Sequence, residues 1–126
     1  MDEGRALAEG FYWYAEKLMW GYANVNKDPK EALRLYRQAA NLGCSDANIR
    51  IGQIYEYGKG APQSATEALR SYREAAEAGN FLALAFMAKL ISRTQHAPKA
   101  EPFWRKFFRA LEADPEPTFL AASPGG

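Results

Sequence analysis

The sequence predicts an all-α protein, a solenoid of about three helix–turn–helix units. Three observations predict it. Residues 31–43 (EALRLYRQAANLG) return as residues 67–79 (EALRSYREAAEAG), 36 positions later and with nine of thirteen residues unchanged. Helix start and stop signals return with both copies, and so does the stretch between them. Self-similarity at a fixed period of this length marks stacked supersecondary units. The period frames units of about 8–43, 44–79 and 80–114 within one domain, 1–117, and leaves 118–126 as a C-terminal tail.

Residues 11–22 open the folded part. Phe11, Ala15, Leu18, Met19 and Tyr22 fall on one helical stripe, as an amphipathic helix requires. Trp13, Tyr14 and Trp20 lie off that stripe. Either they cap the stack, or they form an interaction or dimer patch, since Trp and Tyr dominate interface energies. Two registers for this helix stay open. Matching Gly21 to the later loop glycine puts Ala15 at a small-residue position and needs one extra loop residue. Keeping the 36-residue period instead leaves Phe11, Ala15, Leu18 and Met19 on the core face.

Asp28, Pro29 and Glu31 then mark a helix start, and Ser64 with Glu67 repeats it as a capping box. Gly43 and Gly79 end the two helices, where glycine accepts a left-handed backbone. Between start and stop, Ala32, Tyr36, Ala39 and Ala40 share a stripe with their counterparts Ala68, Tyr72, Ala75 and Ala76. Alanine there lets a neighbouring helix approach closely, and the tyrosine fills the wider gap. Arg34, Gln38, Asn41, Arg70, Glu74 and Glu77 read as solvated surface.

The intervening helix, about 46–57, turns Ala47, Ile51, Ile54 and Tyr55 inward beside Gly52, and returns as Ala83, Met87, Leu90 and Ile91 beside Ala88. Gly58 and Gly60 give its loop freedom of backbone angle. The third unit decays. Its last helix, about 101–113, carries Phe103, Trp104, Phe107, Phe108 and Leu111, which suits a terminal repeat covering the open end of a stack. Phe119 and Leu120 of the tail are expected to dock back on it.

Lys+Arg (16) balances Asp+Glu (15), so no basic footprint for nucleic acid or anionic membrane is expected. The possible ladder of Arg34, Arg37, Arg70 and Arg73 is offset by Glu31, Glu67, Glu74 and Glu77. No run is long and apolar enough to cross a bilayer. The acidic N-terminus lacks a signal-peptide core, and the single cysteine, Cys44, fits a reducing compartment. The expected location is the cytoplasm, or the periplasm if the chain is a processed form.

Catalysis is not expected. The one histidine, His96, has no Cys or carboxylate set at metal-ligand or triad spacing. Glu31 and Glu67 are accounted for by capping, and the loop around Lys59 lacks the phosphate-loop pattern. Cys44, after a helix-ending glycine, reads as structural. No cofactor and no metal are implied.

These residues resemble the Sel1-like repeat family, relatives of the tetratricopeptide repeats. Gly52, Tyr55, Gly58, Gly60, Ala68, Tyr72, Ala75, Ala76, Gly79 and Ala83 stand in the family's motif places. Ala32, Tyr36, Ala39, Ala40, Gly43 and Ala47 do so in the copy before. The resemblance is strong over 28–92. It implies a non-catalytic adaptor that binds another protein or peptide, and by the family's distribution a bacterial setting. Some secreted relatives carry a disulfide in every repeat; with one cysteine, this chain departs from them.

A stack of helix pairs is a right-handed superhelix whose concave side is lined by first helices, a surface suited to a partner segment. The candidate partner-binding residues are Trp13, Tyr14, Lys17, Trp20, Asn48, Gln53, Glu56, Leu84 and Lys89. A homodimer, or a fragment of a longer array with a structural role, is the alternative, and a hydrolase-like activity is the least favoured one.

Overall fold

The computed structural model describes residues 2–113. They form α1 (Asp2–Trp20), α2 (Pro29–Asn41), α3 (Ser45–Tyr57), α4 (Ala65–Glu77), α5 (Leu82–Thr94), a 3-10 turn (Ala97–Ala100) and α6 (Glu101–Ala113). No strand occurs among the described residues. Each helix packs on its neighbours in the chain, as a linear stack of helix pairs requires.

The starts are capped as their residues dictate, with one difference. Asp28 Oδ1 accepts from the Glu31 N–H at 3.2 Å, and Ser64 Oγ accepts from the Glu67 N–H at 3.2 Å. The reciprocal half of the capping box is absent. Glu31 and Glu67 turn outward instead, to Arg34 (2.5 Å) and Arg70 (3.6 Å). The N–H groups of both caps are already committed to backbone carbonyls, Asp28 to Leu18 O and Ser64 to Tyr55 O, so each carboxylate pairs with the arginine three residues on. The arginine ladder is thus neutralised at both of these places. Gly43 and Gly79 take positive φ, 100° and 97°.

Loop hydrogen bonds fix the register of α1. The Asp28 N–H donates to Leu18 O (2.8 Å), and the Ser64 N–H donates to Tyr55 O (2.9 Å). Leu18 therefore matches Tyr55 while Asp28 matches Ser64, so the first loop holds one residue more than the second. Gly21 and Gly58, both left-handed (φ 77° and 70°), follow the two helices at equivalent places. Ala15 then stands where Gly52 stands, and both are buried.

Two details of the N-terminal region differ from expectation. The helix begins at Asp2, nine residues before residue 11. Ala8, one repeat of the stripe ahead of Ala15, is buried at 4% exposure and anchors the extra turns. Tyr22 is 53% exposed, because α1 has already ended and the stripe's geometry no longer holds.

The core runs through the stack in three connected clusters. Ala15, Leu18 and Met19 meet Leu35, Tyr36 and Ala39, with Ile51 and Ile54 behind them. Tyr72, Ala75, Met87 and Leu90 form the next, and Ala88, Ile91 and Ala100 the last. α6 closes the end only in part. Phe103, Trp104 and Phe107 are half-buried and Phe108 is 55% exposed. Phe119 and Leu120 lie outside the described residues.

Candidate partner-binding surface

Tyr36 and Tyr72 are fully buried, and a buried phenol needs a hydrogen-bond partner. Each finds a carboxylate on the preceding helix. Tyr36 Oη donates to Glu16 Oε1 (2.5 Å), and Tyr72 Oη donates to Glu56 Oε1 (2.6 Å). Each carboxylate also holds an arginine of the next unit: Arg50 Nε on Glu16 (2.8 Å) and Arg93 Nη2 on Glu56. A first helix, its second helix and the following first helix are joined by one buried acid. Burial first, then the hydrogen bond and charge of the acid, push both phenols well above their ordinary 10.0.

Glu56 is therefore corrected. It is no surface contact but a buried acid, 7% exposed, serving Tyr72 and Arg93. The two sets are chemically alike yet built from different repeat positions. With the register fixed, Glu16 matches Gln53, and Glu56 matches Met19.

Gly52 explains how close the second set sits. A Cβ there would lie 2.4 Å from Tyr72 Cε1, so only glycine lets α3 rest on that ring. In the loop beyond, a Cβ on Gly60 would lie 2.7 Å from the Pro29 carbonyl oxygen, which seats this loop against the start of α2.

The face formed by α1, α3 and α5 can now be read position by position. Trp13, Arg50 and Phe86 are equivalent; so are Glu16, Gln53 and Lys89; so are Trp20, Tyr57 and Arg93. In each helix the three fall on one stripe, since positions three and seven apart stack along a helix. Trp13, Trp20 and Tyr57 are 59%, 43% and 58% exposed. Arg93 lies over the Tyr57 ring (5.8 Å) and Lys89 over Phe86 (5.7 Å). Arg50 also donates to Gln53 Oε1 at 3.0 Å.

Between α1 and α3 this face opens into a cavity of about 490 Å³. Met19 and Trp20 line it from α1 and Ile54 and Tyr57 from α3; the buried Tyr36 also lines it, and Arg50, Gln53 and Lys59 supply further polar groups.

The other expected contact residues are placed unevenly. Lys17 and Lys89 are exposed on the face, and Asn48 and Gln53 are half-buried. Tyr14 is exposed at 53% but sits about 100° round α1 from Trp13, off the shared stripe. Leu84 is half-buried against the second core cluster and lines a different cleft, with Met87 and Phe103. Sequence reasoning missed Arg50, Tyr57, Lys59, Phe86 and Arg93. Once the extra loop residue is recognised, stepping on from Trp13 and Trp20 finds all of these but Lys59.

Cys44 is half-buried at the start of α3, and burial raises its thiol above the ordinary 9.0. Among the described residues no group of His, Cys, Asp and Glu has metal-binding placement, and no helix is long and apolar enough to cross a membrane.

The chain is similar to known proteins in sequence and in fold. Chitin synthase regulatory factor 2 of Schizosaccharomyces pombe is 30% identical over 112 residues, 86% of this chain and 22% of that protein. A Sel1 repeat protein from Oxalobacter formigenes superposes with a TM-score of 0.70 at 26% identity, over 81% of this chain and 43% of that one. So does c5321, a protective antigen of uropathogenic Escherichia coli strains with an SLR fold, at TM-score 0.70 and 26% identity, over 81% and 23%. The chain spans less than half the length of each. The family model of the Sel1 repeat matches residues 8–44 and 45–80, more than half of the sequence, and the chain belongs to the Sel1 repeat family.

Proposed function

We propose that this chain is a non-catalytic interaction scaffold that binds a partner protein or peptide across the face of α1, α3 and α5. Sel1 repeat proteins generally act as interaction scaffolds, and the family is typically non-catalytic. The observation that carries the reading is the stripe of exposed Trp13, Trp20 and Tyr57 with interleaved cations at equivalent positions of successive units. Exposed aromatic rings on a rigid frame are what interface hot spots are made of. The S. pombe relative is by name a regulatory factor, which accords with a role exerted on another protein. The setting we assign is a bacterial cytoplasm.

The test is a pull-down from the native host with wild type and a Trp13→Ala/Trp20→Ala variant in parallel. Loss of a captured protein with the variant supports the reading. Equal recovery from both would remove these rings from the surface.

A second reading is favoured by one observation, the 55% exposure of Phe108 beside Trp104 on the terminal helix. It is that α6 meets another copy, or a further repeat of a longer array. Sedimentation of wild type against Phe108→Ser tests the contact between copies: a dimer that dissociates in the variant supports it, and a monomer in both refutes it and leaves only the further repeat.

A further inference from the structure

The charge on the α1, α3 and α5 face is not balanced. Arg50 and Arg93 are each held by a buried carboxylate. Lys17, Lys59 and Lys89 are exposed, and among the described residues none of the three forms an ion pair. The acids that share these stripes, Glu9 and Asp46, lie at the opposite, N-terminal end, and Asp46 Oδ1 already accepts from Asn80 Nδ2 at 2.9 Å.

The cavity sits at the cationic end. No carboxylate lines it, its walls are mostly apolar, and Lys59 stands with it. Trp20 and Tyr57 add an indole N–H and a phenol O–H. A volume of about 490 Å³ takes one large side chain and its neighbours rather than a folded domain.

Resting on the scaffold reading, we infer that the occupant is an acidic, extended segment of a partner protein. It places one large apolar side chain between Trp20 and Tyr57 and sets an Asp or Glu carboxylate against Lys59. Lys17 and Lys89 attract the flanking acids from the two sides. Such binding weakens as salt rises, because exposed charges are screened. A basic segment is repelled by the same three lysines, which makes the selection one of sign as well as of shape.

The experiment is a random dodecapeptide phage library selected on the full chain. The recovered peptides are then titrated against wild type, Lys59→Glu/Lys89→Glu and Trp20→Ala, with circular dichroism confirming that all three are folded. All substituted positions are exposed, so folding is expected to survive. The expected result is a consensus of Asp or Glu flanking a Phe, Trp or Leu, bound roughly tenfold or more weakly by each variant. Replacing the peptide acids by Lys should restore binding to the lysine-reversed variant. A neutral or basic consensus, affinities indifferent to both variants, no enrichment, or preference for single-stranded RNA over every peptide would each overturn the inference. If the host partner is still captured through the tryptophans while Lys59→Glu/Lys89→Glu changes nothing, the scaffold reading stands and the acidic segment falls.

Discussion

Gly52→Ala sets two effects of opposite sign against each other. In an exposed helix interior the change adds about 1 kcal/mol of stability, because alanine loses less backbone freedom than glycine. At residue 52 the new Cβ would meet Tyr72 Cε1, Cδ1 and Cζ at 2.4, 2.6 and 2.8 Å. The ring has nowhere to go. It is fully buried, its hydroxyl is fixed on Glu56 at 2.6 Å, and Phe86 stacks on it with centroids 5.5 Å apart. Relief means moving α3 off α4 or losing the bond to Glu56. Overpacking of this kind costs about 1–3 kcal/mol, and a hydrogen bond to a charged group adds about 1.5–3 kcal/mol when broken. The net expectation is a loss of about 2 kcal/mol. Urea denaturation followed by far-UV circular dichroism measures it. Gly10→Ala is the control: nothing lies within 4 Å of its Cβ, and it should gain about 0.5–1 kcal/mol. Equal gains at both positions would refute the claim that Gly52 exists to admit Tyr72.

Three further outcomes are expected. Both buried tyrosines ionise near 10 when unfolded and higher when folded, so the folded chain keeps protons that the unfolded chain releases. Stability from them is complete below about pH 10 and falls above it, by about 1.4 kcal/mol per pH unit for each tyrosine. Urea midpoints between pH 9 and 11 should fall more steeply for wild type than for Tyr36→Phe/Tyr72→Phe; parallel slopes would refute it. Asp28→Ala and Ser64→Ala should each cost about 1 kcal/mol in thermal or urea unfolding and add in the double variant, since the caps belong to separate helices. Cys44, with its thiol raised by burial, should react with iodoacetamide at neutral pH more slowly than a free thiol. Alkylation at the free-thiol rate would contradict that placement.

The repeat made much of the fold legible. Caps, alanine stripes and terminal glycines recur at one spacing, and each has a local physical cause that the sequence states outright. The beginning of α1 was hidden because Gly4 and Gly10 look like breaks, although Ala8 continues the core stripe. The register of α1 could not be read, because one inserted loop residue shifts helix and loop by different amounts, and only backbone hydrogen bonds separate the two. The acid–tyrosine–arginine sets were invisible for a related reason. Glu16 and Glu56 do not recur at the period, so Glu56 looked like a partner-contacting residue of the concave face. The buried tyrosines did carry the signal: two phenols deep in a stack require acceptors, and the preceding helices hold few. On the face itself, Trp13, Lys17, Trp20, Gln53 and Lys89 were legible from their places off the core stripe. Their companions Arg50, Tyr57, Phe86 and Arg93 needed the corrected register to be seen as the same positions.

The most direct test of the interaction surface places a photo-crosslinking phenylalanine at residue 53, between α1 and α5, or at residue 74, on the exposed side of α4. Both proteins are then irradiated in host extract. The expected result is one discrete crosslinked partner at residue 53 and none at residue 74. The same partner crosslinked only from residue 74 would place recognition on the second helices and contradict the account.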